Sequence, residues 1–227
     1  MNYPTHHLEI HVHKICGSTE KFIQGDGKSV SRLINEFQPD LLFAREKLII
    51  AGGDCLTSFR TDQVVRVDLI SEPSTHLIFP PGIVDAVEMT EAEYRGLLQN
   101  TEARAQWNEK RAEDASTVAF LDVEMTGQPP LFLAVETPAG PPDDNPAAIL
   151  CPLYPLVTSG TLCFRMRSGG IAALNPRHLV RFVSFPLSQP LLEAWPAERE
   201  NESLAPGLFS SNHQEITSRE TMGKLYR

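Results

Sequence analysis

Residues 8–23, LEIHVHKICGSTEKFI, and residues 117–133, TVAFLDVEMTGQPPLFL, share a pattern that decides the expected fold. Each stretch is typical of a strand, a turn and a second strand, because runs of strand-forming residues flank a glycine. Gly17 and Phe22 of the first stretch correspond to Gly127 and Phe132 of the second at one constant spacing. The sequence therefore predicts the same hairpin twice.

Three further matches follow the two hairpins in the same order along the chain. Each match is weak by itself, because glycine and proline recur at turns in many β-rich proteins. Their common order favours a tandem duplication, and the alternative is two unrelated β-meanders that share turn chemistry. The matched segments are Leu33–Leu41 with Ile149–Val157, Lys47–Gly53 with Cys163–Gly170 to within one position, and Val65–Val67 with Val180–Phe182.

The predicted fold class is α+β and β-rich, with a unit of strand hairpin, helix and β-meander that occurs twice in pseudo-twofold symmetry. We place the first unit at residues 1–75 and the second at residues 116–186. A linker at residues 76–115 joins them, and an extended, Pro-rich polar tail covers residues 187–227.

Two helices are predicted from capping signals. Thr90-Glu-Ala-Glu93 has the capping-box pattern, which predicts a linker helix over about residues 91–111. Ser29 is expected to cap a helix that continues through Phe37. The apolar residues of this second helix recur at helical spacing and are predicted to be core residues: Val30, Leu33, Ile34 and Phe37.

Composition limits the classes of function. The 227 residues carry a formal net charge of −9, which disfavours general binding to nucleic acid. A local basic strip at Arg165, Arg167, Arg177, His178 and Arg181 is a remaining route to such binding, although a solvated strand face explains it equally simply.

The cysteines and the hydropathy pattern favour particular cellular locations. Four cysteines without CxxC pairs and the lack of a signal-peptide pattern favour the cytoplasm, and the cysteines are expected to be small core residues. The sequence lacks the roughly 18 consecutive apolar residues of a membrane helix, so no membrane partner is expected.

His11 and His13 form the most suggestive chemical pattern. Alternate residues of a strand share a face, so the two imidazoles are expected side by side, at a spacing that can hold a metal ion. An HxH pair on a first strand resembles the metal-binding strand of metal-dependent hydrolases, which implies zinc or a similar ion that activates water. The resemblance covers only these residues, and such a site needs a carboxylate and a further histidine from elsewhere.

Lys28 and Ser29, in Gly25-Asp-Gly27-Lys28-Ser29, form a second candidate site. A glycine-rich turn before a helix can hold an anion at the helix N-terminus, but the spacing of a phosphate-binding loop is missing. A turn followed by a helix cap is the alternative. No catalytic residue is assigned, because the chain has no GxSxG elbow or local cysteine signature.

The resulting function hypothesis is a non-catalytic binding, adaptor or scaffold protein that uses a surface between the two repeated units, without a cofactor. Its partner is expected to be another protein or a second copy of the chain. Apolar residues of the tail are candidate anchors for that partner, namely Trp195, Leu208 and Phe209. The alternatives are a small metal-dependent hydrolase at His11 and His13 and a ligand-sensing regulatory module.

Overall fold

A computed structural model describes residues 7–35, 37–52, 54–71, 79, 83–103, 105, 116–138 and 161–185. All of these residues belong to one compact unit, Met1–Trp195. Strands dominate, as the sequence predicts. The elements in chain order are β1 (Leu8–Lys14), β2 (Thr19–Gln24), α1 (Gly27–Asn35), α2 (Pro39–Leu42), β3 (Lys47–Gly52), β4 (Cys55–Arg60), a 3₁₀ helix (Thr61–Gln63), β5 (Val64–Ser71), β6 (Asp85–Met89), α3 (Glu91–Gln99), β7 (Ser116–Met125), β8 (Leu131–Pro138), β9 (Leu162–Arg165), β10 (Ile171–Leu174), a second 3₁₀ helix (Pro176–His178) and β11 (Leu179–Phe185).

Nine of these strands form one sheet in the order β11-β7-β8-β6-β9-β10-β5-β1-β2, and β3 and β4 form a separate two-stranded sheet. The pairings are antiparallel, except for a single parallel bridge between Val87 of β6 and Arg165 of β9. Each predicted hairpin is present, as β1 with β2 and as β7 with β8. The first strand of each hairpin also pairs with a later strand, β1 with β5 and β7 with β11.

Three apolar clusters pack on the two faces of this sheet. One cluster lies among β5 to β10 and includes the buried Phe164 and Leu133. A second joins β1 and β5 to α1 and the β3–β4 hairpin through Val12, Val30 and Phe59. A third packs α3 on β6, β7 and β8, so that β7 and β8 have apolar neighbours on both faces. Apolar burial on both faces explains the unbroken apolar run of residues 118–121 in β7.

The first helix begins earlier and ends earlier than predicted. α1 covers Gly27–Asn35, and Asp26 precedes it, accepting hydrogen bonds at Oδ2 from the backbone N–H of Ser29 at 2.9 Å and from its hydroxyl at 2.7 Å. The predicted cap at Ser29 is therefore wrong, because a carboxylate three residues earlier fills that role. Val30 is buried as predicted, whereas Leu33 is 43% exposed.

The capping box of the linker helix is confirmed, but the helix is shorter than predicted. The Thr90 hydroxyl accepts from the N–H of Glu93, and the Glu93 carboxylate accepts from the N–H of Thr90. α3 then ends at Gln99, because Asn100 adopts an extended conformation. The Asn100 side chain accepts hydrogen bonds from the N–H groups of Glu102 and Ala103, so it caps a new helical turn instead of continuing the old one.

The turns of the two hairpins lie against each other. Gln128 in the β7–β8 turn donates from Nε2 to the carbonyl of Lys14 at the end of β1, at 3.3 Å. Gly127 has φ 67°, and a Cβ atom there would overlap the carbonyl oxygen of Ile15. Only glycine therefore satisfies both the backbone angle and the space at this position.

The cysteines differ from the expectation of core residues. Cys163 is buried, but Cys16 and Cys55 are exposed. Cys16 lies in the β1–β2 turn, where Ser18 lies 3.1 Å from its sulfur and lowers the pKa of the thiol. Cys151 and the predicted tail at 187–227 lie outside the described residues.

Candidate metal centre

β1 presents two chemically different faces. Leu8 and Val12 are fully buried and belong to the cluster shared with α1, whereas the alternate residues Glu9, His11 and His13 lie on the opposite face. The side chains of His11 and His13 are 12% and 19% exposed. The structure therefore places the two imidazoles on one half-buried face, where the alternation of β1 predicts them.

A carboxylate joins the two histidines from the neighbouring strand. In the β1–β5 ladder, His11 lies opposite Asp68 and His13 lies opposite Arg66. One ligand atom each from His11, His13 and Asp68 lies within 4.8 Å of the other two. The carboxylate that the metal hypothesis requires is thus present, although Asp68 was not among the predicted site residues.

Hydrogen bonds fix the orientation of His13 at both ring nitrogens. Its Nε2 lies 2.8 Å from Asp68 Oδ2, and its Nδ1 lies 3.0 Å from the hydroxyl of Thr19 on β2. His11 has a different carboxylate partner, because its Nε2 lies 2.9 Å from Oε2 of Glu9. The cluster therefore combines two imidazoles, two carboxylates and one hydroxyl.

Arg66 holds the other oxygen of Asp68. Its Nε donates to Asp68 Oδ1 at 2.5 Å, while its Nη2 lies 3.1 Å from the sulfur of Met166. The guanidinium also lies over the ring of Phe164, 5.2 Å from the centroid. These contacts fix Arg66 and leave Oδ2 of Asp68 directed toward the histidine.

The electrostatic environment keeps Asp68 ionised. Burial acts to raise the pKa of Asp68, but the hydrogen bond from His13 and the charge and hydrogen bond of Arg66 outweigh it and hold that pKa below its usual value. At neutral pH the cluster therefore contains a buried carboxylate anion, which is the form that binds a cation.

Sequence reasoning missed Asp68 because it could not fix the register of β5 against β1. The alternation in Arg66-Val67-Asp68 places both charged residues on one face, which is the available signal. A bulge between His13 and Lys14 shifts the ladder by one residue, and only the pairing itself shows which polar residue lies beside which histidine.

At the candidate anion site, the structure shows a carboxylate close to Ser29. Asp26 accepts both hydrogen bonds from Ser29, and these bonds lower the pKa of its carboxyl. A negative charge thus occupies the N-terminus of α1, where an anion would bind. Anion binding by Lys28 and Ser29 stays a prediction that this arrangement does not favour.

The basic strip is largely neutralised by neighbouring carboxylates, and His178 is buried. Three of its arginines form ion pairs, which is the arrangement of a solvated strand face and not of a free phosphate-binding surface. The pairs are Arg165 with Asp85, Arg167 with Glu93, and Arg181 with Asp122 and Glu124. The candidate anchors Trp195, Leu208 and Phe209 lie outside the described residues.

A groove of about 570 Å³ lies between α3, β6 and Arg167. Its walls include Met89 and Leu97, and its polar rim includes Glu93. The volume is in the range of small-molecule sites, which the ligand-sensing alternative requires. The charged rim is already paired internally through Arg167 and Glu93, so the groove presents no free charge from this pair to a ligand.

Comparison with protein-family models, with curated proteins and with solved structures finds no match for this chain. Within the described ranges, no helix is long and apolar enough to cross a membrane. Functional assignment therefore depends on the geometry of the described residues.

Proposed function

We propose that the chain binds a divalent transition-metal ion through His11, His13 and Asp68. The observation that carries the proposal is the convergence of one ligand atom from each residue within 4.8 Å. Two imidazoles and one carboxylate form a donor set that suits zinc or iron(II). This proposal replaces the expectation of a protein without a cofactor.

The ligand atoms lie within 4.8 Å of one another and must rearrange around an ion. Metal bonds of about 2.0–2.1 Å at tetrahedral angles place ligand atoms about 3.3 Å apart. His13 Nε2 and Asp68 Oδ2 are 2.8 Å apart and would separate slightly as the ion replaces the proton between them. His11 Nε2 would leave Glu9 and turn toward the same ion.

Neighbouring groups already orient the proposed ligands. The hydroxyl of Thr19 can accept the Nδ1 proton of His13, which leaves a lone pair on Nε2 for the metal. Arg66 holds Oδ1 of Asp68, which leaves Oδ2 for the metal. Partners of this kind fix ring and carboxylate orientation in known metal sites, and they usually accompany the ligands.

Three protein ligands leave a coordination position for water, which connects the site to the hydrolase alternative. A bound metal ion lowers the pKa of water and so produces a nucleophile near neutral pH. The further histidine that this alternative requires is not found in the cluster among the described residues. Metal binding is therefore the functional proposal, and hydrolysis would be an additional step.

The test is calorimetric titration of tag-free, metal-stripped protein with Zn²⁺. Binding with a stoichiometry of one is expected, and His11→Ala or His13→Ala should weaken it by about 100-fold or more, while Thr19→Val should weaken it by roughly 10-fold. His7→Ala is the matched control, because His7 lies on the same chain segment outside the three-residue cluster. Unchanged binding in His11→Ala and His13→Ala would overturn the proposal.

We also infer that residues 8–71 and 116–185 descend from one duplicated unit. Each contains a hairpin, a later hairpin, a three-residue 3₁₀ helix and a closing strand in that order. In each, the closing strand pairs antiparallel with the first strand of the opening hairpin. The shared order of these hairpins, 3₁₀ helices and closing strands supports a repeat, although α1 and α2 have no counterpart among the described residues of the second unit. The ladders shift one of the sequence matches, since Cys163 aligns with Ile49 and not with Lys47.

Equivalent backbone hydrogen bonds support the same inference. The N–H of Ile15, just after β1, donates to the carbonyl of Gln63 at the end of the first 3₁₀ helix, at 3.0 Å. The N–H of Thr126, just after β7, donates to the carbonyl of His178 at the end of the second 3₁₀ helix, also at 3.0 Å. These bonds align Ile15 with Thr126 and Gln63 with His178. Counting along the strands from these pairs aligns His13 with Glu124 and Arg66 with Arg181.

This alignment limits the proposed metal site to the first unit. Arg66 pairs with Asp68 on its own strand, whereas Arg181 pairs with Asp122 and Glu124 on the neighbouring strand. The two ladders align Asp122 and Glu124 with His11 and His13, one position away from the register that the match of Gly17 with Gly127 gives. Both units thus have an arginine-held carboxylate, but only the first has the imidazoles.

A scaffold or adaptor is the second candidate function. Exposed apolar side chains favour it, since Ile49 and Leu56 of the β3–β4 hairpin are 56% and 69% exposed. Comparison of the β3–β4 hairpin with its equivalent in the second unit suggests which surface Ile49 and Leu56 contact. This contact can be tested separately from metal binding.

A further inference from the structure

One hairpin of the second unit pairs with the closing strand of the first unit. β10, from the second unit, pairs antiparallel with β5 of the first unit, with Ile171 opposite Leu69 and Leu174 opposite Arg66. Asn175 extends the contact, because its N–H donates to the carbonyl of Val65 at 2.8 Å. β5, the last strand of the first unit, is therefore paired on both sides, with β1 and with β10.

The reciprocal contact is missing among the described residues. Under the proposed duplication, β4 corresponds to β10 and β11 corresponds to β5, so β4 should pair with β11. Instead, β4 pairs with β3 in a separate sheet, and β11 is the last strand of the nine-stranded sheet. Among the described residues, no strand lies on the outer side of β11 or on the second side of β4, and a strand edge of this kind is a template for strand addition.

Side-chain exposure shows the consequence of the missing contact on β11, the acceptor strand. Val65 on β5 is fully buried, and its equivalent on β11, Val180, is 60% exposed. The difference arises because β10 and Asn175 lie beside Val65, whereas no described strand lies on that side of Val180. A strand added to the edge of β11 would cover Val180.

The β3–β4 hairpin, the donor hairpin of the missing contact, shows the same difference in exposure from its equivalent. Ile171 and Cys163 of the β9–β10 hairpin are each 2% exposed, and their equivalents are the exposed Leu56 and Ile49. Within each hairpin the pairing supports this match, since Ile49 lies opposite Ser58 and Cys163 lies opposite Ala173. Exposed apolar residues therefore lie on both sides of the contact that is missing.

We propose, on the basis of the duplication, that a second copy of this chain supplies the missing contact. β4 of one copy would add antiparallel to β11 of the other, with Leu56 opposite Ser184 and Phe59 opposite Arg181. The register follows from the β10–β5 ladder. Because one chain contains both the donor hairpin and the acceptor edge, two copies can complete both contacts around a twofold axis.

The register is tested with a disulfide. The proposed pairing places the exposed Cys55 opposite Phe185 of the partner copy, within the Cα separation that a disulfide tolerates. In a Cys16→Ser background, Phe185→Cys should yield a disulfide-linked dimer under mild oxidation. Adding Cys55→Ser should abolish the link, which excludes pairing through another thiol.

A second measurement covers the case in which Phe185→Cys disturbs folding. Light scattering should give a dimer for the wild-type chain, and Val180→Lys should weaken dimerisation by at least about 10-fold, because a charge would be buried in the contact. Val84→Lys is the matched control, since Val84 is 49% exposed and lies outside both strands. Its dimer should be unaffected.

Two outcomes would overturn the dimer. One is a monomeric wild-type chain without an intermolecular link. The other is a disulfide within a single chain, between Cys55 and the thiol that Phe185→Cys introduces. That result would agree with the register of β4 against β11 and would overturn only the proposal that a second copy supplies the contact. Neither outcome bears on zinc binding, which is measured separately.

Discussion

His13 Nε2 lies 2.8 Å from Oδ2 of Asp68, although 55 positions separate the two residues in the sequence. The antiparallel ladder between β1 and β5 creates this contact, and Arg66 completes it from the other side of the carboxylate. The cluster therefore has two roles that can be separated: it stabilises the pairing of two strands, and it forms the proposed metal site.

Removal of the Asp68 carboxylate should destabilise the fold even without metal. Asp68→Ala leaves Arg66 and His13 without their partner in a half-buried position, which should lower the free energy of unfolding by about 2–4 kcal/mol. Urea denaturation in the presence of a chelator measures the change. Asp62→Ala is the control, because Asp62 pairs with Arg60 on the surface and its loss should change stability by less than about 1 kcal/mol. Equal effects of the two changes would contradict the structural role.

The contact between the hairpin turns should depend on Gly127. Gly127→Ala forces a side chain into positive φ and against the Ile15 carbonyl, so the free energy of unfolding should fall by at least about 2 kcal/mol. Gly52→Ala is the matched control, because a Cβ atom there meets nothing within 4 Å. A change at Gly127 no larger than that at Gly52 would show that the two turns do not touch.

The helix cap at Asp26 should contribute a pH-dependent part of the stability. Hydrogen bonds from Ser29 lower the pKa of Asp26 below its unfolded value of about 3.9, so its stabilisation is present above that pH and disappears as the pH falls through the folded pKa. Asp26→Asn keeps an accepting oxygen without the charge. The variant should thus be less stable than the wild type at pH 6, and the difference should vanish in acid. A constant difference across the titration would contradict this role.

The sequence predicted features that depend on local patterns. Alternation placed His11 and His13 on one face, and the capping signal at Thr90 located the start of α3. Features that depend on long-range pairing were missed, because Asp68 reaches the histidines only through the register of β5 and the bulge at His13. The exposure of Leu33 and the break at Asn100 likewise depend on neighbours, since helical spacing alone cannot show what covers each face.

X-ray absorption of the zinc-loaded, tag-free protein tests the proposed site most directly. Two imidazole rings and carboxylate oxygen should appear in the first shell at about 2.0–2.1 Å, and one ring should disappear in His11→Ala. Cys16 is exposed and offers a thiolate as a competing ligand. A first shell containing sulfur at about 2.3 Å, or one without imidazole, would contradict binding by His11, His13 and Asp68.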